Sequence, residues 1–138
     1  MSEHTRPTLK LTHAAAHALV GHAAAKAERL SIPQVIAVVD DGCNLLAFLR
    51  MDGSRVLSIE SAQHKAMTAA TTGKPTGGVD PDLAARLAAA TGGRMTNLKG
   101  GVPIVVAGQV VGGIGIGSGT GEQDLAIAQA ALAAIGLA

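Results

Sequence analysis

Two apolar runs joined by an acidic, glycine-containing turn place the first constraint on this chain. Val35 to Val39 is β-branched and apolar and ends in Asp40-Asp41-Gly42, and strand character resumes from Asn44 to Arg50. Strand-forming residues on both sides of an Asp-Gly pair specify a β-hairpin, and a hairpin means antiparallel pairing. The pattern recurs at Pro103 to Ala107 and Gln109 to Ile116, around Gly108.

Helical signals fill the intervals. Thr12 is placed to cap an Ala-rich helix from His13 to Leu30, and Pro33 marks its exit. Ile59, Ala62, Ala66 and Ala69 recur at 3–4 spacing, which predicts a helix from about Leu57 to Ala70. Gly73, Pro75, Gly77 and Gly78 mark residues 71–79 as a loop. Asp80 caps a helix that starts at Pro81, runs to about Ala90 and ends at Gly92-Gly93. Residues 94–101 form a loop or a short strand. Gly117 to Gly121 is a turn, and Glu122 to Ile135 is the closing helix.

The predicted order is α-β-β-α-α-β-β-α. Helices must cover the sheet, so the expected fold is α+β: a central antiparallel sheet built from two hairpins and flanked by helices, three-layered and profilin-like. Residues 1–8 are expected to be a flexible start, and residues 9–138 a single domain.

Composition excludes some functions. The net charge is +1, the basic residues are scattered, and the chain has one Phe and no Trp or Tyr, which argues against nucleic-acid binding. No apolar run reaches the length of a membrane span, and the first ten residues lack a signal-peptide core, so a cytoplasmic protein is expected. Cys43 is the single cysteine, which leaves no intramolecular disulfide and no cysteine cluster. A mean hydropathy of +0.35 with 15% charged residues implies apolar surface buried between copies, hence a homo-oligomer of two or more chains.

Several residues invite a functional reading, each with a plainer alternative. The glycine-rich run from Gly112 to Gly121 contains neither a P-loop nor a dinucleotide fingerprint in any frame. Gly117-Ser118-Gly119 before a helix still offers N–H groups to an anion, although bending the strand is the simpler use. Gly100-Gly101 exposes donors for an oxyanion or merely admits a strand. His13 and His17 share a helix face but have no third metal ligand nearby, so no metal site is expected, although either could be an axial heme ligand.

Arg50 could hold a carboxylate bidentately, or pair with Asp52 or Glu60. Lys65, beside His64 and Thr68, could act as a base or anion clamp, or pair with Asp40 or Asp52. Asp124, in the first turn of the last helix, is favourable there through the helix dipole alone. Cys43 lies in a tight turn with no activating partner.

Taken together, these segments resemble the GlcG/HbpS-like proteins, the heme-degrading-domain family that includes the C-terminal domain of PduO-type proteins. The similarity lies in Ile36–Asp40, Leu45–Phe48, Arg50–Gly53, Lys65-Ala66 with Thr68-Ala69, Pro75-Thr76, Gly100–Pro103, Gly112 with Gly115, and Glu122–Asp124. It spans roughly residues 9 to 136. The resemblance implies a helix-flanked antiparallel sheet, assembly into dimers or larger oligomers, and a small-molecule ligand of the heme or corrinoid type, with or without heme turnover. In that setting His13, His17, Met51, Thr68, Gly100 and Gly101 are the expected ligand-binding residues, and His64 or Met67 a further axial ligand. The alternative is a metal-independent lyase, isomerase or cyclase acting on a carboxylate or phenolic substrate. Arg50 or Lys65 would then hold the anion, the Gly101 N–H would stabilise an oxyanion, and Asp52 or His64 would move the proton.

Overall fold

The structure is a computed structural model and describes residues 2–137. Its elements are α1 (His13–Arg29), β1 (Val35–Asp40), β2 (Leu45–Arg50), α2 (Ser58–Thr72), α3 (Pro81–Ala90), β3 (Gly101–Val106), β4 (Gln109–Gly117) and α4 (Gly121–Ala134). Type and order match the sequence expectation, with ends displaced by one or two residues. The strands form one antiparallel sheet in the order β2-β1-β4-β3. Each hairpin contributes an adjacent pair, and β1 against β4 joins them, from Val35 opposite Gly117 to Asp40 opposite Gly112.

The sheet is covered on both faces. Ile36, Val38, Ile114 and Ile116 face α1 and α4, where they meet Leu19, Ala23, Ile127 and Leu132. Val35, Ala37 and Val39 face α2 and pack on Ala62 and Ala66. Alternate strand residues point to opposite faces, so a strand covered twice reads as a continuous apolar run, as β1 does.

The α2 side has little room. A Cβ on Gly115 would collide with the Ala62 carbonyl oxygen, and one on Gly113 with that of Ala66. The backbone of α2 therefore lies directly on β4, and the contact requires glycine on the strand and alanine on the helix. Close backbone approach fills this layer at native density without large side chains. That is how a chain with one Phe completes a core.

Two local features depart from the expectation. The β1–β2 connection is a four-residue turn, and the residue at positive φ is Cys43 (φ 65) rather than Gly42. Asp40 holds this turn, its Oδ1 accepting the N–H groups of Gly42 and Asn44, each at 2.9 Å. The second departure is α3, which has no buried residue and covers no part of the sheet. It stands on a neck where the Val79 N–H donates to Asn97 Oδ1 at 2.9 Å and the Asn97 amide donates back to the Val79 carbonyl at 2.7 Å. Below the neck, the Thr76 hydroxyl donates to the Leu98 carbonyl at 2.6 Å.

The segment before α1 is anchored at its end, with the Leu9 N–H on Gln109 Oε1 (3.1 Å) and Lys10 Nζ on Asp41 (2.7 Å). Among the described residues, no helix is long and apolar enough to cross a membrane.

Candidate functional site

Lys65 faces inward from α2, between Ala62 and Ala69, and is 4% exposed. The glycines opposite leave space for its long side chain. Its Nζ donates to the Ile116 carbonyl at 2.8 Å and to Asp124 Oδ2 at 2.9 Å. Asp124 is 1% exposed. Its second oxygen accepts the Gly119 N–H at 3.0 Å.

The turn before α4 fixes that carboxylate in place. Thr120 and Gln123 form a capping box in which each side chain accepts the other's backbone N–H, so the first turn of α4 is rigidly presented. Burial pushes the Asp124 carboxyl above its ordinary range, against the opposing pull of Lys65, the Gly119 N–H and the Gln34 amide. Gln34 is fully buried, and neither polar atom of its carboxamide closes a hydrogen bond. Its Nε2 lies 2.6 Å from where a Cβ on Gly119 would sit.

The Lys65–Asp124 pair lines a cavity of about 210 Å³ with Arg55, Ser58, Ser61, Lys99 and Ser118. The Arg55 N–H donates to Ser118 Oγ at 2.9 Å, which ties the approach to α2 onto the turn before α4. Lys99 is paired with Glu122 at 2.6 Å. The Arg55 guanidinium has no ion-pair partner among the described residues.

The residues expected to act together lie apart. Arg50 ends β2 and Asp52 follows it; both are exposed and neither lines the Lys65 cavity. His64 is half-buried and lies outside that cavity too. The ion-pair partner of Lys65 is Asp124, which corrects the expected pairing with Asp40 or Asp52. Asp124 is accordingly more than a helix-dipole residue. Gly100 and Gly101 do lie beside Lys65: a Cβ on Gly100 would be 3.1 Å from Lys65 Nζ, and one on Gly101 would strike the Lys65 carbonyl oxygen. The Gly101 N–H, however, is donated to Thr76 Oγ1 at 2.9 Å, so it is not free for an oxyanion.

The expected ligand-binding residues are likewise dispersed. His13, His17 and His22 are exposed on α1. Met51 is half-buried against the larger core. Thr68 is buried, and its hydroxyl accepts the Thr96 N–H at 3.0 Å. Among the described residues, no group of three or more His, Cys, Asp or Glu side chains could hold a metal ion.

A second cavity, of about 400 Å³, opens where the anchored segment before α1 crosses the end of the β3–β4 hairpin and the C-terminus of α4. Its walls are apolar, including Leu11, Val106, Val111, Ile135 and Leu137, and Lys10 and Thr12 join the lining. A third, of about 160 Å³, brings Cys43, Met67 and Met95 together beside Arg94.

Comparison with known proteins gives this geometry a context. The model of the family described as haem degrading protein HbpS-like matches residues 11–133. The chain belongs to this family. It is 37% identical over 107 residues to the GlcG protein of Escherichia coli K12, covering 77% of this chain and 80% of that one. Among solved structures, the PduOC complex with heme is similar at a TM-score of 0.86, with 32% identity and coverage of 94% of this chain and 98% of the other. The HbpS structure is similar at 0.82, with 35% identity and coverage of 99% and 97%.

Proposed function

We propose that this protein binds a small, largely apolar ligand with an anionic edge, a tetrapyrrole of the heme type, in the cavity before α1. The observation that carries this reading is the cavity itself. At about 400 Å³ it falls in the ~300–1,000 Å³ range of small-molecule sites, and its walls are aliphatic. The similarity to a protein solved with heme bound supports the choice of ligand.

The residues present fit such a group. Leu11, Val111 and Leu137 offer surface for the macrocycle, and Lys10 offers a cation for a carboxylate. His13 opens α1 directly after Thr12, which lines the cavity, and His17 follows one turn later. An imidazole there would supply a nitrogen ligand to the iron of such a group. His64, Met51, Thr68, Gly100 and Gly101 lie outside this cavity and take no direct part in this reading.

Assembly with further copies belongs to the same proposal. Val56 and Leu57 are 61% and 74% exposed and adjacent, which favours cover by a partner chain. Light scattering of the purified protein should give a mass of at least two chains.

The test of the ligand is a hemin titration followed by absorbance. A saturable Soret shift near one equivalent, lost in His13→Ala or the His13→Ala/His17→Ala pair and retained in His64→Ala, is the expected result. Weak binding without saturation, unchanged by either histidine, would overturn the assignment.

A further inference from the structure

We propose that the cavity beside Lys65 and Asp124 is a second site, which takes a small carboxylic acid as its monoanion. This inference does not rest on the tetrapyrrole reading, and the two cavities lie at opposite ends of α4. The N-terminal end carries Asp124 and the C-terminal end is followed by Ile135 and Leu137. Fourteen helical residues separate these ends by about 20 Å.

Three observations converge on the site. The first is charge. Lys65 is matched by Asp124 and Lys99 by Glu122, which leaves the Arg55 guanidinium as the one unmatched charge on the lining. One unmatched cation suits one negative charge, and a guanidinium presents two parallel donors that fit a carboxylate. A dianion such as phosphate would meet the Asp124 carboxylate without a second free cation.

The second observation is the supply of hydroxyl groups. Ser58, Ser61 and Ser118 line the same cavity. Ser118 is tied to the Arg55 N–H, so its position is set. Ser58 is 8% exposed and packed at the first turn of α2. Hydroxyl groups on rigid elements can bond a carboxylate or a neighbouring hydroxyl of a substituted acid.

The third is what the fold leaves unsatisfied. Gln34 is buried behind the Gly119–Asp124 wall of the cavity, where its amide acts on the Asp124 carboxylate without closing a hydrogen bond. A buried amide without a closed hydrogen bond costs stability, and a buried ion pair is often no better than an apolar replacement. Two such costs side by side, the ion pair on the cavity lining and the amide behind it, are what a binding site leaves in a fold. Gly119 keeps this wall open, since a Cβ there would lie 2.6 Å from Gln34 Nε2 and 2.7 Å from Asp124 Oδ1.

The test uses the full chain, titrated with acetate, lactate and benzoate, with inorganic phosphate for comparison, followed by amide chemical shifts and by calorimetry. At least one carboxylate should bind saturably near one equivalent, with shifts centred on Ser58, Ser118 and Gly119. Arg55→Gln removes an exposed side chain with no structural partner and should weaken binding roughly tenfold or more. Gly119→Ala should weaken it as well, and His13→Ala should leave it unchanged. No saturable binding at millimolar concentration, binding indifferent to Arg55→Gln, or phosphate binding tighter than every carboxylate would each overturn the proposal.

Discussion

Lys65 Nζ meets Asp124 Oδ2 at 2.9 Å across 59 residues of chain, and both side chains are buried. The bond joins α2, which covers one face of the sheet, to α4, which covers the other. It passes the end of β4, where Lys65 also takes the Ile116 carbonyl.

Removing one partner leaves the other charged and buried. Lys65→Met or Asp124→Asn should each destabilise the fold by about 3–5 kcal/mol in urea unfolding. The Lys65→Met/Asp124→Leu pair should recover most of that loss, because a buried ion pair contributes little beyond an apolar pair of similar volume. Additive losses in the double variant would mean that the two residues act independently and that the bond couples nothing.

Gly115 supports a different kind of contact. Gly115→Ala would drive a methyl group into the Ala62 carbonyl and lift α2 from β4. Overpacking of this kind costs about 1–3 kcal/mol or more, read as a lower unfolding midpoint. Gly108→Ala, at the β3–β4 turn where a Cβ meets nothing but the backbone has φ +76, reports backbone strain alone and should cost less.

Thr120→Ala removes half of the capping box at the start of α4. A loss of about 1 kcal/mol is expected. Because the box orients Asp124, carboxylate binding at the Arg55 cavity should weaken in the same variant, which titration of the folded protein would show.

The acid limb of stability should report Asp40. Partial burial pushes its carboxyl up, but the N–H groups of Asn44 and Gly42, the Asn44 amide and Lys10 outweigh that and hold it below its ordinary value of 3.8. A lowered folded value stabilises the protein above the ordinary carboxylate range, and this contribution is lost as pH falls through the depressed value. Asp40→Asn should therefore flatten the decline in stability below about pH 4, measured as urea midpoints from pH 7 to pH 2. Asp124 has the opposite sign: its folded value is raised, so between the ordinary and the raised value it costs stability as pH rises.

The sheet was legible in the sequence because its signals are local. Val35–Val39 and Asn44–Arg50 lie on either side of their turn, and the alanine spacing of α2 needs no distant information. The site was less legible because its members come from separate stretches. Lys65 stood out as a charge among alanines, yet its partner Asp124 looked like an ordinary first-turn acid. Only the pairing of β1 with β4 shows that α2 and the start of α4 meet at one end of the sheet. Arg50 and Asp52 drew notice as charges at a strand end, where the fold leaves them in solvent. Gln34 gave no signal, since a polar residue before a strand reads as a loop residue until its burial is seen.

The neck below α3 carries a consequence for how such chains diversify. Val79 and Asn97 close the base of the excursion, Thr68 holds its return arm through Arg94 and Thr96, and α3 contributes nothing to either core. A segment bounded in this way behaves as an interchangeable part. Its helix can be lengthened, recoloured with new side chains or exchanged for another, and closure entropy changes only by tenths of a kcal/mol up to about 0.6 per doubling of length. New specificity can therefore be grafted above the neck while the sheet below it stays constant.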